Sequence, residues 1–233
     1  MMEFNRRDML KGAAAVAAAG SLTVLGGAGI ALAATHPTLS LGSRGSAVLA
    51  LQRRLTSLGY WLGKQDGQYG DLTAQAVVAI QKVGGLLRDG ECGPLTWARV
   101  DAGLRPRARS TKGHVIEVNK ATQTLLLVDA GVVKRIYNTS TGSNKRYFFG
   151  GKWQTALTPS GTFRVFRQVN GWDAGPLGQL YRPKYFNLGI AVHGYPSVPS
   201  TPASHGCCRV SLAAMDSLWA AGGMVVGNQV LVY

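Results

Sequence analysis

Cysteine is scarce in this chain: Cys92, Cys207 and Cys208 are the only three among 233 residues. So few, and an odd number, exclude a disulfide-stapled scaffold and flag a free thiol should the chain be exported. Carboxylates are the second shortage, with eleven Asp and Glu against twenty-five Lys and Arg, for a formal charge of +14. The imbalance is uneven. Residues 35–103 hold seven basic and five acidic side chains, whereas residues 104–233 hold fifteen and four, the four being Glu117, Asp129, Asp173 and Asp216. A surplus of that size draws the second half towards polyanions, nucleic acid among them. After residue 34 no run is long and apolar enough to span a bilayer. Neither a His-Glu-x-x-His zinc signature nor a Cys-x-x-Cys pair occurs. The length leaves room for one large or two modest domains with a sizeable core.

What is present begins with the N-terminus. "NRRDMLKGAAAVAAAG" gives a basic start and an Ala/Gly run, followed by the small-residue site Ala31–Ala33. That is the layout of a secretory signal, expected over residues 1–34, with an uncleaved anchor as the alternative. Arg6-Arg7 followed by Met9-Leu10-Lys11 resembles the twin-arginine signal that exports folded proteins. Export to the periplasm, cell wall or extracellular space makes nucleic acid an unsuitable partner. Anionic cell-wall polymers and carboxylate-bearing peptides remain.

Beyond the signal, Val48, Leu51, Leu55 and Leu58 recur at spacings of three and four, which predicts a helix over 46–58 with Ser46 as its cap. A second helix is expected over 73–83 with Thr73 as its cap, and a short third one opens at Pro94 and carries Trp97. "DGQYG" and "RDGECGP" read as the turns between them. "GLRPRARSTKG" is basic and has little to bury, so residues 103–112 are expected to be a linker. Thereafter the period shortens to two. "HVIEVNKATQTLLLVDAGVVKRIYNTSTG" predicts three strands with turns at Asn119–Lys120 and Ala130–Gly131, and "GTFRVFRQV", "LGIAVHG" and "QVLVY" add further β-rich runs. One helix, "SLAAMDSLWAAGG", is expected between Ser211 as cap and Gly222 as stop. The fold class is thus two domains: a small all-α module at 38–102, then a mostly-β, sandwich-like domain at 113–233 with one or two helices.

The chemistry concentrates in "HGYPSVPSTPASHGCCRVS", residues 193–211. Zinc would need three or four ligands with orienting partners; His193, His205 and one cysteine could supply three, in a domain poor in acids. Adjacent cysteines make a strained redox pair. A cysteine nucleophile with a histidine base is the third option. His193 ends an apolar strand pattern, Gly206 allows close backbone approach, and nearby Arg209 favours thiolate. The bland alternative is a satisfied core histidine beside buried thiols. On spacing alone, nucleophile and core remain open.

Two resemblances bear on this. "LGSRGSAVLALQRRLTSLGY…DGQYGDLTAQAVVAIQKVGGLLRDGECGPLTW" resembles the three-helix peptidoglycan-binding module of bacterial wall enzymes, in its Asp66-Gly67 and Asp89-Gly90 turns, Leu51-Gln52 and Thr96-Trp97. A helical cap that binds nothing is the alternative. The 193–211 stretch resembles the signature of the L,D-transpeptidase (YkuD-type) catalytic domain: His-Gly, a spacer, then Ser-His-Gly-Cys-x-Arg. "TPSGTF" at 158–163 and "IYNTSTG" at 136–142 also match segments of that family.

The resemblance implies that Cys207 is the nucleophile and His193 its base, oriented by the Gly194 carbonyl, with the amides of Gly206 and Cys207 as the oxyanion hole. It implies that Ser204, His205 and Arg209 shape the pocket and contact an acidic donor peptide. Residues 170–187, rich in Gly, Pro and aromatics, are expected to be a flap walled by Trp172, Tyr181 and Tyr185, or else an ordered surface loop. The implied donor is a peptidoglycan tetrapeptide stem ending in D-Ala after a diamino acid, with glycan as a further contact. The implied product is a 3→3 cross-link, and neither metal nor cofactor is needed. Carbapenem β-lactams would acylate the same sulfur. Water as acceptor would give a carboxypeptidase, and a protein amine an attachment enzyme. A non-catalytic wall binder and an endopeptidase or amidase are the rivals. Cys208, where that family has an aliphatic residue, is expected to be a buried small side chain.

Overall fold

The computed structural model describes residues 36–220 and 223–233; the expected signal segment and the Gly222 helix stop lie outside them. Three helices come first: α1 (Ser46–Ser57), α2 (Asp71–Val83) and α3 (Pro94–Asp101). Val48, Leu51 and Leu55 of α1 are buried at the expected spacing, and Pro94 opens α3 with Trp97 and Val100 inward.

The caps differ from expectation. Gly45 and Gly70 occupy the cap positions of α1 and α2 and make no side-chain cap bond. Ser46 is already helical, and Thr73 is the third residue of α2, where its Oγ1 accepts from Gln52 Nε2 at 3.1 Å. Gln52 explains this. Its amide also donates to Asp66 Oδ1 and the Gln68 carbonyl and accepts from the Gly67 N–H, so one buried glutamine organises the "DGQYG" turn. Gln81 repeats the device at the next turn, binding Asp89 Oδ1, the Glu91 carbonyl and the Gly90 N–H. Backbone groups that would otherwise be buried unpaired are satisfied by an amide that both donates and accepts.

The β region comprises two packed sheets. In the first, β1 (His114–Asn119), β2 (Thr124–Asp129) and β3 (Val132–Asn138) form the expected antiparallel meander. Ala130 and Gly131, both at positive φ, make a two-residue turn between β2 and β3. The C-terminal strand β12 (Gln229–Val232) lies parallel to β1, and β6 (Gly161–Arg164) closes the order β3-β2-β1-β12-β6. The second sheet has the order β11-β10-β9-β7: β7 (Arg167–Gln168), β9 (Gly178–Asn187), β10 (Ile190–Gly194) and β11 (Cys208–Val210). β8 (Trp172–Gly175) pairs with β9, so the segment at 170–187, expected to be a flap or else a surface loop, is built as a β-hairpin. A separate hairpin joins β4 (Arg146–Phe149) to β5 (Lys152–Thr155). Helix α4 (Leu212–Trp219), capped by Ser211 accepting from the Ala214 N–H, packs on β9 and β10.

Strand β2 reads "TLLLVD" because both its faces are covered. Leu125 and Leu127 enter the core between the sheets with Ile116, Val192, Cys208, Met215 and Val230. Leu126 and Val128 face the other way and join Leu51, Leu55, Ile80 and Trp97 of the helices in a second cluster. Strand alternation thus divides one apolar run between two cores. The chain entering the sheet edge adds to this: Gly59 accepts from the Ile136 N–H, and Trp61 donates to the Ile136 carbonyl, covering the exposed edge of β3.

Residues 103–112 carry no regular structure but are held. Buried Glu117 on β1 accepts from the Arg109 and Ser110 amides, the Ser110 hydroxyl and the Tyr233 hydroxyl. Arg105 donates to the Val133 carbonyl at 2.5 Å.

Candidate active site

Strand β10 sets the first member of the site. Val192 faces the core between the sheets, so His193 beside it faces the opposite side, towards a cavity of about 1340 Å³. β11 runs parallel to β10 with His193 opposite Arg209 and Val192 opposite Cys208. The same alternation therefore sends Cys208 into the core, fully buried, and leaves Cys207 and Arg209 on the cavity wall with His193. Cys207 is half-buried, and all three cysteines are free. Burial pushes the Cys92 and Cys208 thiols far up, Cys92 to about 12. They lie in different clusters, Cys92 with the helices and Cys208 between the sheets.

Among the described residues one hydrogen bond holds the His193 ring. Its Nδ1 lies 2.9 Å from the Gly194 carbonyl, an oxygen that can only accept, so Nδ1 carries the proton and the neutral ring presents Nε2 as a lone pair. Burial pushes the ring's pKa down to about 4, with the Arg209 charge acting the same way and the Gly194 carbonyl opposing. The Cys207 sulfur accepts from the Ala191 N–H at 3.5 Å and donates weakly to the Gly189 carbonyl at 3.8 Å. Burial raises this thiol, against the pull of that N–H and of Arg209. Arg209 favours thiolate as expected, but desolvation outweighs it, and both groups rest uncharged at neutral pH. Among the described residues no hydrogen bond joins thiol and ring. Both open onto the same cavity.

The turn before Cys207 needs glycine. Gly206 sits at φ +146, and a Cβ there would meet the Leu157 carbonyl at 3.0 Å. Its amide is not free for an oxyanion, contrary to expectation: it donates to Ser204 Oγ at 3.0 Å. Ser204, buried, donates in turn to the Cys207 carbonyl at 2.5 Å, so it staples the nucleophile turn. Thr158, in the "TPSGTF" segment, donates to the Gly206 carbonyl at 2.6 Å and accepts from the Gly142 N–H.

The remaining expected residues divide. His205 lies on the wall, its ring edge-on to Tyr147 at 4.7 Å. Arg209 stacks over Tyr195 at 4.1 Å and donates to the Ala203 carbonyl, while its buried Nε has no partner among the described residues. Trp172 and Tyr185 line the cavity. Tyr181 does not: its hydroxyl goes to Asp216 at 2.9 Å, and its ring packs where a Gly194 Cβ would stand.

Sequence reading passed over Tyr147, Tyr195 and the pair Arg167–Asp173, which also line the cavity. Asp173 accepts from Arg167 at 2.9 Å and from the Tyr185 hydroxyl at 2.8 Å, bracing the hairpin wall and helping burial raise Tyr185 to about 12. They come from four places, Tyr147 on β4, Arg167 on β7, Asp173 on β8 and Tyr195 just after β10, and strands of two to four residues give too little alternation to mark them. Among the described residues no three His, Cys, Asp or Glu side chains are grouped as ligands of one metal ion would be.

This arrangement brings a thiol and an unprotonated ring nitrogen, the groups of a nucleophile and its base, onto one cavity with room for a peptide. Comparison with known proteins identifies the domains. Residues 113–232 match the model of the L,D-transpeptidase catalytic domain, residues 44–100 that of a peptidoglycan binding domain, and residues 3–23 that of a twin-arginine translocation signal. Among solved structures, an L,D-transpeptidase from Xylanimonas cellulosilytica (residues 123–326) superimposes with a TM-score of 0.82 at 50% identity, covering 86% of this chain and 98% of that one. One from Stackebrandtia nassauensis is 21% identical with a TM-score of 0.49, over 84% and 94%. The N-acetylmuramoyl-L-alanine amidase CwlL of Bacillus licheniformis is 42% identical over 82 residues, which are 34% of this chain and 23% of that protein. The chain thus matches less than a quarter of that curated relative.

Proposed function

The chain belongs to the L,D-transpeptidase catalytic-domain family, and from that premise we propose that it is an exported, cysteine-dependent acyltransferase of peptidoglycan. The Cys207 sulfur attacks the carbonyl of the diamino acid in a tetrapeptide stem as the thiol proton passes to His193 Nε2. A neutral thiol and neutral imidazole suit that order, since the proton moves as the C–S bond forms and no resting ion pair is required. The Cys207 N–H is the candidate donor to the oxyanion, because the Gly206 N–H is occupied by Ser204. The C–N bond to D-Ala then breaks, the leaving amine takes the proton from His193, and a thioester remains. An amine of a second stem attacks it, gives its proton to the ring and releases the thiol with a 3→3 cross-link.

The observation that carries this reading is the shared cavity wall of Cys207 and His193, with Nδ1 pinned by the Gly194 carbonyl. Arg209 on that wall suits the carboxylates of the donor, and Trp172, Tyr185 and His205 provide its sides. The helical module engages glycan and stem peptides, and the surplus of positive charge suits anionic wall polymers. Carbapenems, whose strained carbonyl mimics the donor, acylate the same sulfur. The twin-arginine match at 3–23 supports export to the periplasm or wall.

The test is incubation with purified disaccharide-tetrapeptide and mass spectrometry of the products. D-Ala release with new 3→3 dimers is expected. D-Ala release without dimers would move the assignment to an L,D-carboxypeptidase, and a protein amine as acceptor to wall attachment. No D-Ala release from the intact enzyme would leave a wall-binding role, or an endopeptidase or amidase if other bonds of the substrate are cut.

A further inference from the structure

Lys82 occupies an unusual place. It is the penultimate residue of α2, where a lysine would ordinarily reach into water near the helix C-terminus. Instead it is 2% exposed. Its ammonium donates to the Gln123 carbonyl at 3.1 Å, the Thr139 carbonyl at 2.9 Å and Asn138 Oδ1. All three N–H bonds have an acceptor, and no ion pair of the described residues includes it. A buried charge without a counter-ion is costly. Burial accordingly pushes Lys82 down to about 7.

The groups that Lys82 grips hold the nucleophile's loop on their other side. Thr139 Oγ1 donates to the Arg209 carbonyl at 2.8 Å, and Ser140 exchanges two backbone bonds with Arg209, at 3.1 and 2.9 Å. Ser140 Oγ donates to the Thr201 carbonyl, and the Thr141 carbonyl accepts from the Ala203 and Ser204 amides. Gln123, whose own carbonyl binds Lys82, clamps Thr141 through two side-chain bonds of 2.8 Å each. Helix α2 and the turn after it also reach the loop directly: Gln75 donates to the Val198 carbonyl and Arg88 to that of Ser200. Residues 138–141 are therefore a plate with the helical module on one side and the Cys207 loop on the other.

We infer that Lys82 is a positioning residue for the acyl-transfer site: through Gln123 and residues 138–141 it fixes the 201–209 loop that carries Cys207, making the helical module part of the catalytic scaffold. The inference rests on the proposed transfer reaction for its kinetic part only. Its physical content is that the third hydrogen-bond layer behind the sulfur comes from the wall-binding module, so that loss of those donors loosens the loop before it unfolds the protein.

The test compares the full chain with Lys82→Met, which keeps the stem but removes the donors, and with Leu126→Ala, which loosens the same interface through packing alone. D-Ala release gives kcat and KM, hydrogen exchange reports the amides of 203–209, and thermal melting reports global stability. In Lys82→Met, kcat falls about tenfold with KM within about twofold, and the loop amides exchange on the order of tenfold faster. Leu126→Ala lowers the melting temperature at least as far while kcat and loop exchange hold. A folded Lys82→Met with wild-type kcat and loop exchange overturns the inference, as does a Leu126→Ala that reproduces every change. Should Lys82→Met not fold, Asn138→Ala removes one of the three acceptors and shifts loop exchange the same way by about threefold; no shift there also overturns it. A wild-type enzyme silent on tetrapeptide would sink the proposed reaction, while the exchange measurements still decide the role of Lys82.

Discussion

The pH dependence of the reaction follows from how His193 is held. Burial and Arg209 put its pKa at about 4, and the free-enzyme profile of kcat/KM reports that ionisation. At about pH 5.5, an imidazole titrating at its ordinary value of about 6.5 would be roughly 9% unprotonated, against roughly 97% for one titrating near 4. The predicted acid limb is therefore displaced: between about pH 7.5 and 5.5, kcat/KM keeps more than about two-thirds of its value, where an ordinary histidine would lose about tenfold. Arg209→Gln removes the charge that lowers both groups, so the acid limb moves up and the thiol limb moves up with it. The assay is D-Ala release at subsaturating tetrapeptide across buffers of constant ionic strength. A tenfold fall centred near the ordinary imidazole value would refute the buried, neutral base.

The same ring makes stability depend on pH. The unfolded chain binds a proton between its ordinary pKa and about 4 while the native ring does not, so stability falls as pH drops through that window, by about 3 kcal/mol at its end. Denaturant melts of wild type and His193→Gln at the two ends should differ by that slope, and equal slopes would count against it. Glu117→Gln weakens four donors converging on one buried carboxylate, at a cost of about 1–3 kcal/mol, and proteolysis near Arg105–Ser110 should quicken. Gly194→Ala places a methyl 2.7 Å from the Tyr181 ring and 3.2 Å from Met215, so about 1–3 kcal/mol of overpacking should accompany a loss of kcat as the carbonyl holding Nδ1 shifts. Unchanged melting and kcat would show that Tyr181 gives way.

Periodicity carried far into this fold because the periodic faces are the buried ones. Val48, Leu51 and Leu55 mark α1, and the "TLLLVD" run marks a strand covered on both sides. What local pattern could not supply was distant claims on polar groups. Thr73 looks like a cap, yet Gln52, twenty-one residues away in sequence, takes its hydroxyl. The 170–187 hairpin was hidden by Gly and Pro and by Arg182 at φ +50 in the middle of β9. At the site, the spaced His-Gly and Ser-His-Gly-Cys pattern pointed to Cys207 and His193, and strand parity separates the two sulfurs. Desolvation, which decides the charge of both groups, depends on packing that no motif encodes. Lys82 is the extreme case: by sequence it is an ordinary helix-end lysine, and only the tertiary fold gives it three carbonyl-type partners.

The most direct measurement is intact-protein mass after exposure to a carbapenem, with peptide mapping of the adduct. Wild type and Cys208→Ala should each gain the mass of one drug molecule, on Cys207, whereas Cys207→Ala should gain none. An adduct mapped to Cys208, or one formed as readily in Cys207→Ala, would contradict the assignment of the cavity-facing sulfur as the nucleophile.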